Sequence, residues 1–232
     1  MSQGCVIPPI HLYDRLRQTT HGDAWPAEWW SDPCEGTFLW TPLGGGDDWI
    51  ADLHATAART GPTGLRLQTR TTGAAVGDWL IAYRQFDYPA GMDLTMRLAV
   101  RFPTIAPIGN FQLYLTVYDG AQHNEYGLLW YPNTGVVEYV TTESALVAIP
   151  ALATIPAANS WHTLAFSLDP AAVKYLAASL DVKTASLAGQ GPYNNGADAV
   201  HAVLPTISLT ASASPPALAH VDHIQLLRTP NP

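Results

Sequence analysis

Two tyrosines lie four residues apart in the stretch FQLYLTVYDG, where apolar and polar residues alternate. Residues that alternate in this way point to opposite faces of a β-strand. The polar face then carries Gln112, Tyr114, Thr116 and Tyr118, and aromatic rings beside hydrogen-bonding groups are suited to binding sugars. Two interpretations stay open: this face binds a glycan, or the N-terminal segment or another subunit covers it.

Two arginines are candidates for the same surface. The stretch LTMRLAVRF also alternates, with Leu94 and Met96 on the apolar face and Arg97 and Arg101 on the polar face. We interpret it as a neighbour of the strand that carries the tyrosines. The predicted ligand-binding residues are Arg97, Arg101, Gln112, Tyr114, Thr116 and Tyr118.

Acidic residues form a second candidate site in GGGDDWIAD. Asp47, Asp48 and Asp52 offer the oxygen ligands that calcium requires, but the same residues also suit a solvated loop hinged by glycines. In HVDH, His220 and Asp222 share one strand face, yet no third metal ligand follows locally, which favours a polar outer face on the last strand. No other cofactor is expected.

Signals for covalent catalysis are missing from the sequence. There is no Gly-x-Ser-x-Gly motif. Cys34 stands beside Asp32 and Glu35, and negative charge raises the pKa of a thiol. Cys5 is the second cysteine; the pair could close a disulfide over the N-terminal segment, but nothing in the sequence requires it, and free thiols are favoured.

Half of the 8 tryptophans lie in HGDAWPAEWWSDPCEGTFLW, a stretch that proline and glycine interrupt. Residues 1–58 contain many apolar side chains without periodicity, and a soluble monomer rarely exposes so much apolar surface. We expect residues 1–58 to form an irregular extension that packs on the remaining domain, residues 59–232, or on a partner. The predicted contact residues are Trp25, Trp29, Trp30 and Trp40.

Alternation with a period of two recurs along the chain and defines the elements that must position these side chains. It predicts strands in GLRLQTR, SWHTLAFSLD, HAVLPTISLTAS and HVDHIQLLR, and a hairpin in YGLLWYPNTGVVEYV. Short helices are predicted at 11–18 and 169–180, the second with Asp169 as its cap and Pro170 in its first turn. Short strands at regular spacing predict an antiparallel β-sandwich.

The composition limits the possible partners. The chain has 232 residues, a net charge of −8 and only 13% charged residues, and its basic residues are scattered. These properties argue against nucleic acid and anionic membranes. No apolar run approaches the roughly 20 residues of a membrane span, and no secretory signal is visible. We expect a protein made in the cytoplasm that stays there or joins a particle such as a virion, with other protein subunits, including its own copies, as partners.

The order of the predicted elements resembles the concanavalin A-like lectin/glucanase superfamily. The resemblance runs from about residue 60 to residue 230. It is carried by the stretches GLRLQTR, YRQFDYPAGMDLTMRLAVRFP, NFQLYLTVYDG, EYGLLWYPNTGVVEYV, SWHTLAFSLDPAAVKYL and HVDHIQLL. It implies an all-β fold, an antiparallel two-sheet jelly-roll β-sandwich, here with the irregular Trp-rich N-terminal extension.

The glucanase branch of that superfamily implies retaining hydrolysis by a Glu-x-Asp-x-x-Glu strand, whose carboxylates lie about 5 Å apart. This spacing is absent, and Glu138 in VVEYV has only Val136 and Val140 at its alternate positions. We therefore expect no enzymatic activity. The favoured interpretation is a structural or adhesive protein, most simply a bacteriophage capsid decoration or tail protein. A lectin-like carbohydrate-binding module is the alternative, and a glycoside hydrolase is less favoured.

Overall fold

The computed structural model of the protein describes residues 27–45, 48–71, 76–88, 91–141, 145–212 and 215–230. These ranges contain seventeen β-strands and two short 3₁₀-helices, Ala55–Ala57 and Pro150–Leu152. None of their helices is long and apolar enough to cross a membrane. The strands are β1 Ala27–Asp32, β2 Thr41–Gly45, β3 Ile50–His54, β4 Gly64–Gln68, β5 Trp79–Tyr83, β6 Phe86–Asp87, β7 Met92–Arg101, β8 Ile108–Asp119, β9 Gln122–Tyr131, β10 Val136–Val140, β11 Leu146–Ala148, β12 Trp161–Asp169, β13 Lys174–Leu180, β14 Lys183–Ser186, β15 Tyr193–Ala197, β16 His201–Ala211 and β17 Leu218–Pro230.

The strands form two antiparallel sheets with the core between them. The eight-stranded sheet has the order β14-β13-β12-β7-β17-β4-β3, and β1 pairs with β17. The nine-stranded sheet has the order β11-β10-β9-β8-β16-β5-β2, while β15 pairs with β9 and β6 with β16. This is the all-β, antiparallel two-sheet sandwich that the sequence predicts.

The core is built from the apolar faces of the long central strands. In β7 the inward side chains are Leu94, Met96, Leu98 and Val100, all fully buried. The corresponding positions of β8 are buried as well, which confirms both predicted alternations. Burying such side chains contributes roughly 1.5–3 kcal/mol each, so the alternation selects which face of each strand turns inward.

The predicted hairpin is confirmed as the pair β9–β10. Its turn closes with Gly135 N–H donating to the carbonyl of Tyr131 at 2.8 Å. Gly135 has a φ of 76°, a left-handed conformation that glycine adopts without steric cost. A Cβ atom there would also come within 2.9 Å of the backbone nitrogen of Ile155. Both the backbone conformation and the lack of space therefore require glycine at this position.

The predicted helix at 169–180 does not form. Asp169 does accept a hydrogen bond from Ala172 N at 2.9 Å, as a helix cap would. The chain then leaves the helical region at Val173, whose φ is 54°, and continues as β13. Pairing with β12 buries Tyr175 and Leu180 in the core, and this burial outweighs the local helix signal. The helix predicted at 11–18 lies outside the described residues.

Part of the segment assigned to the irregular extension belongs to the sheets. Between residues 27 and 54, β1 pairs with β17, β2 with β5 and β3 with β4. These strands are only five or six residues long. The alternation of apolar and polar residues in these strands is too short, and too often interrupted by glycine and proline, to predict strands from the sequence.

Candidate ligand-binding face

The predicted tyrosine face exists and forms part of the outer surface of the nine-stranded sheet. In β8, Phe111, Leu113 and Leu115 turn into the core, so Tyr114 and Tyr118 turn outward. Both tyrosines and Gln112 are half-buried, and Thr116 between them is almost fully buried. The structure therefore brings together four of the six residues predicted to bind a ligand.

Strand register adds aromatic residues that the sequence did not single out. Thr206 pairs with both Tyr114 and Tyr83, so Tyr83 shares their face. The residue pairing of the other strands places further half-buried aromatic side chains on the same face of the sheet. This outer aromatic face consists of Trp79, Tyr83, Tyr114, Tyr118, Tyr131 and Tyr193.

Glycine creates space for the central ring of this face. A Cβ atom at Gly127, directly opposite Tyr114, would lie 2.4 Å from Cε1 of the tyrosine, so the ring occupies the place of a missing side chain. Burial, followed by the charge of Glu125 and the nearby Tyr131, raises the pKa of Tyr114 to about 12. The phenol stays protonated at neutral pH and keeps its hydrogen-bond donor.

Polar groups on the same face are hydrogen-bonded to one another. Gln112 Nε2 donates to Asn110 Oδ1 at 2.7 Å, and Asn195 Nδ2 donates to Glu125 Oε1 at 3.0 Å. The ring of His123 stacks on Tyr118 with centroids 5.2 Å apart. Internal hydrogen bonds hold planar amide and carboxylate groups in place beside aromatic rings, which is the arrangement that sugar recognition requires.

Two glutamates lie on this face, and the backbone keeps them apart. Glu138 pairs with Leu129, which lies four residues along β9 from Glu125. At about 3.3 Å per residue, their Cα atoms are about 13 Å apart along the strands. This Cα separation exceeds the roughly 5–10 Å that lies between the carboxyl groups of retaining and inverting glycosidases. Glu138 lies near Tyr131, on the side away from Glu125, and its charge contributes to the raised pKa of that tyrosine.

The two predicted arginines do not belong to this face. Arg97 and Arg101 lie on β7, which pairs with β12 and β17 in the eight-stranded sheet. Arg97 is exposed there and lines a groove of about 310 Å³ with Thr95 and Ser179. The prediction that these consecutive strands are neighbours is wrong, because the chain crosses to the other sheet between β7 and β8.

Arg101 takes part in a polar row across the eight-stranded sheet. Its Nη2 lies 2.7 Å from Nδ1 of His220, and its guanidinium lies 5.1 Å from the ring of Trp161. Arg66 lies beyond His220 in the same register and binds Asp52 at 2.6 Å. Burial and Arg101 lower the pKa of His220 to about 4.

The predicted calcium ligands are not gathered into a site. Asp47 lies outside the described residues, Asp48 is exposed, and Asp52 binds the guanidinium of Arg66 through both carboxylate oxygens. In the described ranges no three acidic, histidine or cysteine side chains are grouped closely enough to hold a metal ion.

The last strand does not present the expected polar outer face at HVDH. His220 is 4% exposed and Asp222 is completely buried. The loop after the first 3₁₀-helix covers them, because Asp222 accepts hydrogen bonds from the backbone N–H groups of Arg59 at 2.7 Å and Thr60 at 3.2 Å. Asp222 therefore fastens this loop to the sheet.

Two of the tryptophans predicted to contact a partner are core residues. Trp30 and Trp40 are each 4% exposed and contact one another edge to face, with centroids 5.9 Å apart. Trp40 Nε1 donates to the buried Asp32 at 2.9 Å. Trp29 belongs to β1, and Trp25 lies outside the described residues.

Cys34 is a free thiol next to this cluster. Burial is the first cause of its raised pKa, and the charge of Asp32 is the second. The sequence predicted the direction from charge alone. Cys5 lies outside the described residues.

Comparison with known proteins identifies the fold. No protein-family model and no curated protein matches the sequence. A carbohydrate esterase of the Shiga toxin-encoding bacteriophage phi24B superposes with a TM-score of 0.53 at 16% identity, covering 87% of this chain and 99% of the esterase. A pseudo β-1,3-glucanase of Mycobacterium tuberculosis gives 0.53 at 16%, with 86% and 98% covered. The cellulose-induced protein Cip1 gives 0.51 at 14%, with 85% and 96% covered. The chain has the concanavalin A-like lectin/glucanase fold, as its sequence resemblance predicted.

Proposed function

We propose that this concanavalin A-like β-sandwich is a non-enzymatic adhesive protein that binds a glycan on the outer aromatic face of its nine-stranded sheet. The observation that carries the proposal is the row formed by Tyr83, Thr206 and Tyr114, with Tyr118 on the same face four residues further along β8. Aromatic rings cover the apolar faces of sugar rings, while amides and hydroxyls bind their hydroxyl groups. The similar structures that are named as a carbohydrate esterase and a pseudo-glucanase support a role in carbohydrate binding.

The positions of the two glutamates support binding without hydrolysis. Glu125 and Glu138 are the glutamates on the strands of this sheet, and their Cα atoms lie farther apart along the strands than the carboxyl groups of a general acid and a nucleophile that act on one bond. Glu125 also accepts a hydrogen bond from Asn195 Nδ2 at 3.0 Å, which holds its carboxylate in place. A sugar held on this face would meet oriented hydrogen-bond acceptors and no catalytic pair.

A glycan array probed with purified protein tests the proposal. Tyr114→Ala and Tyr118→Ala should each weaken binding to any retained glycan about tenfold, since aromatic anchors dominate such contacts. Arg97→Ala on the opposite sheet is the matched control and should bind like the parent. An array with no retained glycan, or equal losses in all three variants, would refute the proposal.

A structural subunit of a larger particle, such as a bacteriophage decoration or tail protein, is the second candidate. It is favoured by β11, an edge strand of the nine-stranded sheet whose Leu146 and Val147 are 41% and 42% exposed. Exposed apolar edge strands are sites where other chains pair. Such a protein, made in the cytoplasm and carried on a virion surface, should self-associate in sedimentation velocity experiments. Val147→Lys should abolish that association, and a parent protein that stays monomeric at all concentrations would oppose this candidate.

A further inference from the structure

The basic residues of the two sheets are distributed unequally. None of the nine strands of the nine-stranded sheet contains lysine or arginine, although these strands carry Asp87, Asp119, Glu125 and Glu138. The strands of the eight-stranded sheet contain six basic residues, which are Arg66, Arg97, Arg101, Lys174, Lys183 and Arg228. The same strands contain six acidic residues, so their charges balance. The outer aromatic face is therefore the acidic side of the sandwich.

Two of the acidic side chains lie among the aromatic rings. Glu125 belongs to the strand opposite Tyr114, two residues from Gly127, and Glu138 lies near Tyr131 across the β9–β10 pair. Both glutamates are half-buried, and within the described residues neither forms an ion pair. Their charge reaches the rings, since Glu125 contributes to the raised pKa of Tyr114 and Glu138 to that of Tyr131.

We propose, on the premise that this face binds glycans, that it selects oligosaccharides that carry protonated amino groups. An ammonium group placed over Tyr114 would meet the negative face of the ring and the carboxylate of Glu125 together. A second ammonium group further along the chain of sugars would meet Tyr131 and Glu138. Uronic acids, sialic acids and sulfated sugars would instead meet like charge, because the strands that form this sheet carry no arginine or lysine.

Three short oligosaccharides with the same β-1,4 backbone separate charge from shape. They are oligomers of glucosamine, of N-acetylglucosamine and of glucuronic acid, measured by isothermal titration calorimetry at about pH 6, where amines are protonated and carboxylates ionised. The glucosamine oligomer should bind most tightly and the glucuronic acid oligomer most weakly. The difference should shrink as salt rises from about 0.02 M to about 0.5 M, because screening shortens the range of exposed charges.

Matched variants locate the effect. Glu125→Gln and Glu138→Gln should each weaken glucosamine binding about two- to fivefold and leave N-acetylglucosamine binding within about twofold. Asp169→Asn on the eight-stranded sheet changes the net charge equally and should change neither. The Asn can still accept the turn hydrogen bond from Ala172 N.

The outcomes separate this inference from the proposed function. Glycans retained on the array, combined with equal affinity for charged and neutral oligomers, would overturn the amine preference and leave glycan binding intact. Tightest binding of the glucuronic acid oligomer would do the same. Failure of every glycan, on the array and in calorimetry, would overturn both. A lysine hexapeptide that binds as tightly as the glucosamine oligomer would also overturn the inference, because charge alone would then suffice.

Discussion

The ring of Tyr114 covers the position that a side chain at Gly127 would occupy, with Cε1 2.4 Å from where a Cβ atom would stand. This contact crosses from β8 to β9 and holds the central ring of the outer aromatic face in place. Gly127 N–H also donates to the hydroxyl of Tyr175 at 2.7 Å, so the glycine backbone is fixed from the core side. The position of the ring thus depends on a residue without a side chain.

Gly127→Ala should displace the Tyr114 ring and weaken glycan binding about tenfold, with a cost to stability of about 1 kcal/mol from overpacking. Binding would be measured by calorimetry and the free energy of unfolding by urea denaturation. In a Tyr114→Ala background the same change should have no further effect on binding. It should raise stability slightly there, since alanine restricts the unfolded chain more than glycine. Additive losses of binding in the double variant would contradict the contact as the cause.

Trp30→Ala and Trp40→Ala should lower the free energy of unfolding by about 3–5 kcal/mol, because each removes a large buried side chain. Trp40→Phe should cost less, but it leaves Asp32 without the donor that now binds it at 2.9 Å. Trp161→Ala, at a half-buried position, is the control and should cost least. Sedimentation velocity should show the same oligomeric state for every folded variant. An altered oligomeric state with unchanged stability would restore the original prediction that Trp30 and Trp40 contact a partner.

His220 should make the fold less stable in mild acid. Burial and then Arg101 lower its pKa from 6.5 to about 4 in the folded protein. Between these two pH values the unfolded chain binds more protons, so the free energy of unfolding falls as pH falls from 6.5 to 4. His220 contributes about 1–3 kcal/mol to that fall. Urea denaturation across this range should show a shallower decline for His220→Gln than for the parent.

His201→Gln is the matched control for the pH experiment, because His201 is exposed. Its decline should follow that of the parent. Parallel curves for His220→Gln and the parent would show that His220 is not responsible for the loss of stability. The comparison between variants is needed because other ionisable groups also affect stability in acid.

Much of the fold could be predicted because the alternation of side chains along a strand is a local property. The inward positions of β7 and β8 follow from their own sequences, and so does the hairpin between β9 and β10. The prediction of a helix at 169–180 was wrong because long-range strand pairing decided the structure of this segment. Local cap residues at Asp169 and Pro170 were present, but pairing with β12 was worth more than the helix they favoured.

The sequence by itself determined which residues of one strand share a face, so Gln112, Tyr114, Thr116 and Tyr118 could be grouped correctly. Only the tertiary structure decided which strands lie side by side. Tyr114 has Thr206 as its neighbour, 92 positions later in the chain, and not Arg97, which the crossover between β7 and β8 places in the other sheet. Side-chain direction is fixed by the backbone of a few residues, whereas strand pairing depends on contacts between distant segments that the order of residues does not display.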